Sequence, residues 1–177
     1  MAQYWVQPIP PFHIADGAPY NTSVALTDVS PLPAKALPAN YLVIGSEIEL
    51  VAWFTFTAVA TPTLLVGFYY GGIAGVPLCA TAATTLTTTA TAWSGIMRYH
   101  GKVRAIGSTG SIVGQGSVEL GTSLTAMTVV AMPATAAART VAIDTTTLKT
   151  LTIGAQWGTS AAGNTLTVND FSARLIN

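Results

Sequence analysis

The sequence predicts an all-β chain: a sandwich or barrel of about eight to ten antiparallel strands behind an extended N-terminal arm. Three observations predict it. Thr and Ala dominate beside 16 Gly and 10 Pro, whereas Glu, Lys and Gln, which favour exposed helix faces, are scarce. Short β-type runs recur between turn signals along most of the chain. There is no heptad pattern, internal repeat or collagen-like glycine period.

The elements follow in order. Residues 1–21 carry Pro8, Pro10, Pro11 and Pro19 among Tyr4, Trp5, Phe12 and Tyr20. Proline lacks an amide donor, so this stretch cannot be a central strand. Its aromatics are too costly to leave in water, and it is expected to lie in a groove on its own subunit or on a neighbour. It is assigned attachment or inter-subunit clamping, separable from the folded domain at 22–177. Strands are expected at about Thr22–Val29, Tyr41–Thr57, Thr63–Tyr70, Val76–Thr81, Trp93–Ile106, Ser111–Leu120, Leu124–Ala131, Thr140–Ile143, Leu148–Trp157 and Thr165–Ile176. Thr84–Thr91 reads as a strand or edge, and Ala134–Ala138 has room for one helical turn.

The segment Trp93–Leu120 fixes a register. If Gly107-Ser108-Thr109-Gly110 forms a four-residue loop, Ile106 faces Ser111, and Arg98, His100, Lys102 and Arg104 face Glu119, Ser117, Gln115 and Val113. Met97, Tyr99, Val103 and Ala105 then share the other face with Leu120, Val118, Gly114 and Ile112. A slip by one residue would bury four polar side chains.

Half of the 177 residues are hydrophobic and 8% are charged, with seven basic and seven acidic side chains. Ordinary soluble domains carry about 25% charge, so one monomer with a mean hydropathy of +0.52 cannot cover its surface in the usual way. The most apolar run, Leu50–Ala60, is broken by Thr55 and Thr57 and is too short for a transmembrane helix. The start of the chain lacks the basic and apolar regions of a signal peptide. Net neutrality argues against a nucleic-acid binder. Copies of the chain or other proteins remain as the expected cover.

Catalytic and cofactor signals are weak. His13 and His100 have no carboxylate or second histidine at helical metal-site spacing. Glu47 and Glu49 share one strand face, the pattern of a solvent-facing strand. Gly158-Thr159-Ser160-Ala161-Ala162 lacks the second glycine of a nucleophile elbow, and the glycines from Gly107 to Gly116 lack dinucleotide or P-loop spacing. Cys79 lies in an apolar run and reads as a small buried hydrophobe. No enzymatic activity, metal or cofactor is expected. Arg98, His100, Lys102 and Arg104 form either a solvated face or a docking face for acidic groups.

Several blocks together carry a resemblance. Leu37-Pro38-Ala39-Asn40-Tyr41-Leu42 leads into Ile44–Leu50. Thr61-Pro62-Thr63-Leu64 leads into an alternating strand ending at Gly71-Gly72. Trp93 precedes Gly101–Gly110, and Leu148–Trp157 precedes Asn164–Val168. In this order they resemble a β-sandwich module of tailed-bacteriophage virion proteins, a trimeric jelly roll of the tumour-necrosis-factor-like kind. The likeness spans about Thr22–Asn177 and omits the arm. It implies a homotrimeric virion structural protein on the capsid surface, with the major capsid protein or other virion proteins as partners. A decoration or cement protein is the preferred role, because a fibre knob normally needs a shaft. The alternatives are a head- or tail-fibre knob and a carbohydrate-binding receptor module for host-surface glycans. The last needs Trp53, Trp93 or Trp157 exposed in an open cleft. An outer-membrane β-barrel is disfavoured by irregular strand lengths and the missing signal peptide.

Overall fold

The computed structural model describes residues 6–21, 23–59, 61–86, 90–123 and 126–176. The strands, in chain order, are β1 (Val6–Pro8), β2 (Tyr20–Asn21), β3 (Thr27–Asp28), β4 (Lys35–Leu37), β5 (Glu47–Ala58), β6 (Thr63–Tyr70) and β7 (Val76–Ala80). They continue as β8 (Thr84–Thr85), β9 (Ala90–Ala105), β10 (Gly110–Ser123), β11 (Ala126–Met132), β12 (Thr140–Ile143), β13 (Lys149–Trp157) and β14 (Thr165–Ile176). A 3-10 turn at Ala136–Arg139 is the only helical element among the described residues. Two antiparallel sheets pack face to face, so the expected all-β sandwich is the observed fold class. The large sheet runs β1-β14-β5-β9-β10-β11, with β2 also on β14 and β12 also on β10. The small sheet runs β3-β13-β6-β7, with β4 also on β13 and β8 also on β6.

Alternation is strict along β5, whereas the second half of β6 and the middle of β13 are buried at consecutive positions. Ile48, Leu50, Ala52, Phe54 and Phe56 of β5 point inward and are buried, as are Leu64, Val66 and Phe68 of β6 and Leu151, Ile153, Ala155 and Trp157 of β13. Each large apolar side chain so buried contributes about 1.5–3 kcal/mol. Among the described residues of the expected run Thr22–Val29 only Thr27–Asp28 is strand (β3), and β2 lies just before it at Tyr20–Asn21. Tyr20 Oη donates to the carbonyl of Ser23 at 2.7 Å, and Ser23 N donates to that of Asn21 at 2.7 Å, which turns the chain from one sheet toward the other. The strand expected from Tyr41 begins at Glu47, because residues 41–46 form a turn with Gly45 at φ +95° and Ser46 N bonded to Val43 O.

The β9–β10 hairpin keeps the expected faces up to Val103 but shifts its partners there by two residues, while Ala105, expected on the core face, joins Ser111 on the outer one. Ala105, not Ile106, faces Ser111, and after a bulge at Arg104 Val103 faces Ile112. His100 therefore faces Gln115, and Arg98 faces Ser117. The loop is one residue longer than expected, which alone would turn the hairpin inside out. The bulge at Arg104 returns Val103 and Ile112 to the core, where both are fully buried. A second bulge lies in β14 between Val168 and Asp170. Val168 and Phe171 are three apart, a spacing alternation forbids for two core residues, and the extra residue lets both point inward while Asp170 turns out.

Tyr99 fills the space over two glycines. A Cβ at Gly101 or Gly114 would collide with its ring and hydroxyl, and the buried Tyr99 Oη has no hydrogen-bond partner. Burial accordingly pushes its pKa far up. Tyr99→Phe is expected to raise stability by about 1 kcal/mol, since a buried unpaired hydroxyl disappears without a change of shape. Gly114→Ala should lower it by about 1–3 kcal/mol through overpacking. Urea unfolding midpoints check both, and a destabilised Tyr99→Phe would mean that the hydroxyl is bonded.

The N-terminal segment lies along its own sandwich. β1 and β2 pair with opposite ends of β14, as short edge strands. Between them Ile9 N donates to Ala173 O at 2.9 Å and Gly17 N to Val168 O at 2.8 Å. Ile9 and Tyr20 are buried members of the core. Lys35, only 2% exposed, sends its ammonium to the carbonyls of Pro11 at 2.6 Å and Ile9 at 3.4 Å, over the Phe171 ring. Its burial lowers its pKa, against the pull of Asp170. His13 sets its ring nitrogens against the carbonyls of Phe171 and Pro33.

Candidate functional site

Pairing of β14, β5, β9 and β10 lays the outer face of the large sheet out in four rows. Across these strands they read Asp170, Trp53, Ile96, Glu119; then Ser172, Val51, Arg98, Ser117; then Arg174, Glu49, His100, Gln115; then Ile176, Glu47, Lys102, Val113. Eight of the chain's charged residues, counting Arg104 at the bulge, belong to these strands and face outward. The predicted docking set Arg98, His100, Lys102 and Arg104 is one exposed stripe along β9. Carboxylates interleave with it. Arg98 Nη1 bonds Glu119 Oε1 at 2.8 Å, while Lys102 Nζ and His100 Nε2 share the two oxygens of Glu47 at 2.9 and 3.1 Å. The hydrogen bond from Lys102 holds the Glu47 carboxyl below its ordinary pKa against the opposing effect of desolvation, with the bond from His100 adding to the lowering. The stripe is thus part of a charge-balanced face rather than an uncompensated basic patch.

Shallow hollows run across this face. One of about 470 Å³ lies between Glu49, Arg98, His100, Gln115 and Ser117. The next, about 350 Å³, is walled by Glu49, Trp53, Arg98, Asp170, Ser172 and Arg174. A third of about 270 Å³ shares Asp170, Ser172 and Arg174 and reaches Phe12 and His13 of the arm. Neighbouring hollows share walls: Glu49 and Arg98 line the first two, and Asp170, Ser172 and Arg174 line the last two. Trp53 stands in the second hollow 53% exposed, whereas Trp157 is fully buried and Trp93 half-buried. Of the four arm aromatics, Tyr20 is buried in the chain's own core and Phe12, 70% exposed, lines the third hollow. Tyr4 and Trp5 lie outside the described residues.

Sequence reasoning missed Asp170, Ser172 and Arg174. Their alternation is visible in the sequence, but their place beside Trp53 depends on β14 pairing with β5, more than a hundred residues earlier. Neither histidine is hydrogen-bonded between a carboxylate and a hydroxyl: His13 meets two carbonyls and His100 meets Glu47. Cys79 is buried, and burial pushes its thiol up to about 12. It is an inert core residue.

The two edges of the large sheet are treated differently. Residues 6–21 cover β14, with Pro8 in the outermost strand. At the other edge β11 has no further strand beside it among the described residues, and Met127 and Val129 are 48% and 66% exposed. No charged residue occurs between Glu119 and Arg139. Long exposed edges without charge are templates for pairing with another chain, and isolated domains usually guard them with lysine or proline. No protein-family model matches the chain, and no curated protein matches it.

Proposed function

We propose that the chain is a bacteriophage virion structural protein, a homotrimeric decoration protein set on the outer surface of the capsid. The observation that carries the proposal is the uncharged, exposed β11 edge on a sandwich whose other large-sheet edge is covered. Such a body is completed by neighbours, and closed rotational symmetry is the usual way copies of one chain supply them. The ordered blocks from Leu37 to Val168, which resemble phage virion jelly rolls, add the setting. The charged large-sheet face, carrying most of the chain's ionic groups, suits the surface turned to solvent.

Separating phage heads from tails tests the role. Antibody to the protein should detect it on purified tail-less heads, in a number fixed by the capsid lattice. Recovery with tails or fibres alone would replace decoration by a fibre-knob role. Absence from both fractions would end the virion reading.

A further inference from the structure

We infer that the row of hollows on the outer face of the large sheet is a binding site for a neutral oligosaccharide, with Trp53 as its stacking platform. This does not depend on where in a particle the chain sits.

Trp53 is a large apolar ring left half in water on a sheet face that carries eight charged side chains, with Ile96 and Val51 as its apolar neighbours. No cation caps it: the only cation over an aromatic ring among the described residues is Lys35 over Phe171. A free indole face carries negative charge density and attracts the weakly positive C–H groups on the flat side of a pyranose ring. Around it stand groups that bond hydroxyls. Glu49 and Asp170 accept, Arg98 and Arg174 donate, and Ser172 does either. Among the described residues Glu49, Asp170 and Arg174 make no ion pair, whereas Arg98 is held in place by Glu119.

Charge selects the ligand class. The hollow at Trp53 holds two carboxylates and two guanidinium groups, so it carries no net positive charge to draw in a phosphate, sulfate or sialate. Uncharged hydroxyls, which donate and accept at once, satisfy both signs. Shape selects the length. The hollow at Trp53 is flanked by two more, one across Glu49 and Arg98 lined by Gln115 and one across Arg174 lined by exposed Phe12. Successive hollows with a second aromatic in the last suit several sugar units rather than one. The β14 bulge assembles the site, since it brings Asp170 out beside Trp53.

Ligand-observed NMR on the full chain tests this. The panel is neutral gluco-, galacto-, manno- and N-acetylhexosaminyl oligosaccharides, with sialyllactose and inorganic phosphate as charged comparators. At least one neutral oligosaccharide should bind, with little change on raising salt, because no net charge is involved. Trp53→Ala should weaken it on the order of tenfold or more, and Arg174→Ala should weaken it too. Phe12→Ala should affect long oligosaccharides more than disaccharides. Because Trp53 lies on the outer face, an unchanged far-UV spectrum and thermal midpoint will show that the variant is folded. Trp53→Phe, which keeps an aromatic face, should restore part of the affinity. Failure of every neutral oligosaccharide at 10 mM (about the weakest useful affinity) would overturn the assignment. So would binding indifferent to Trp53→Ala, or a preference for the charged comparators.

Discussion

Deleting residues 2–20 is expected to lower the thermal midpoint by more than about 10 °C and to make the protein aggregate on heating. The segment is not a loose appendage. Ile9 is 2% exposed and Tyr20 7%, and both belong to the core cluster. Losing a buried isoleucine costs about 2–5 kcal/mol by itself. The deletion also strips β14 of β1 and of the Tyr20 half of β2, and it removes the carbonyls that receive the buried Lys35 ammonium. A charged group left buried without partners costs more than the pair was worth. Ile9→Asp tests the same contact with one atom group and should show most of the loss, whereas Phe12→Ala, at an exposed position, should leave stability within about 0.5 kcal/mol. Differential scanning calorimetry reads all three. A truncated protein as stable as the full chain would mean that the arm is docked without contributing to the fold.

The second large effect concerns assembly. Val129→Lys is expected to convert the proposed trimer to folded monomers. Val129 pairs with Glu119 across the β10–β11 ladder, so a lysine there meets an opposite charge in its own chain. The same lysine places a hydrated ammonium on the edge that a neighbour must approach, the device by which natural edge strands refuse partners. Val129→Glu is a poorer probe, because it sets like charges opposite each other within the chain. Analytical ultracentrifugation of Val129→Lys should give single chains with an unchanged far-UV spectrum. If the variant assembles as the parent does, β11 is not the contact, and the uncharged β6–β8 flank of the small sheet becomes the next surface to probe.

The sequence carried some of this arrangement openly and hid the rest. Thr63–Tyr70, Thr140–Ile143 and Thr165–Ile176 are strands with the boundaries their patterns imply, because apolar alternation and flanking glycine or proline are local signals. Inside and outside of the β9–β10 hairpin were equally legible, since only one face of each strand is apolar. The pairing was not. A bulge at Arg104 and a five-residue loop change partners by two while leaving every side chain from Met97 to Val103 on its expected face and moving only Ala105, so alternation is blind to them. Lys35, in a proline-marked connection, gave no sign that it would be buried against Ile9, Pro11 and Phe171. The hollow at Trp53 was foreshadowed only as one of three tryptophans that a sugar site would need. Which one is exposed follows from its position on the outer face of β5, while Trp157 faces the core from β13.

One measurement bears most directly on the claim that copies of the chain complete one another. Mass photometry or sedimentation of the full-length protein at micromolar concentration should give one species at three times the 18.2 kDa of a single chain. A stable, soluble species at the mass of one chain would contradict it.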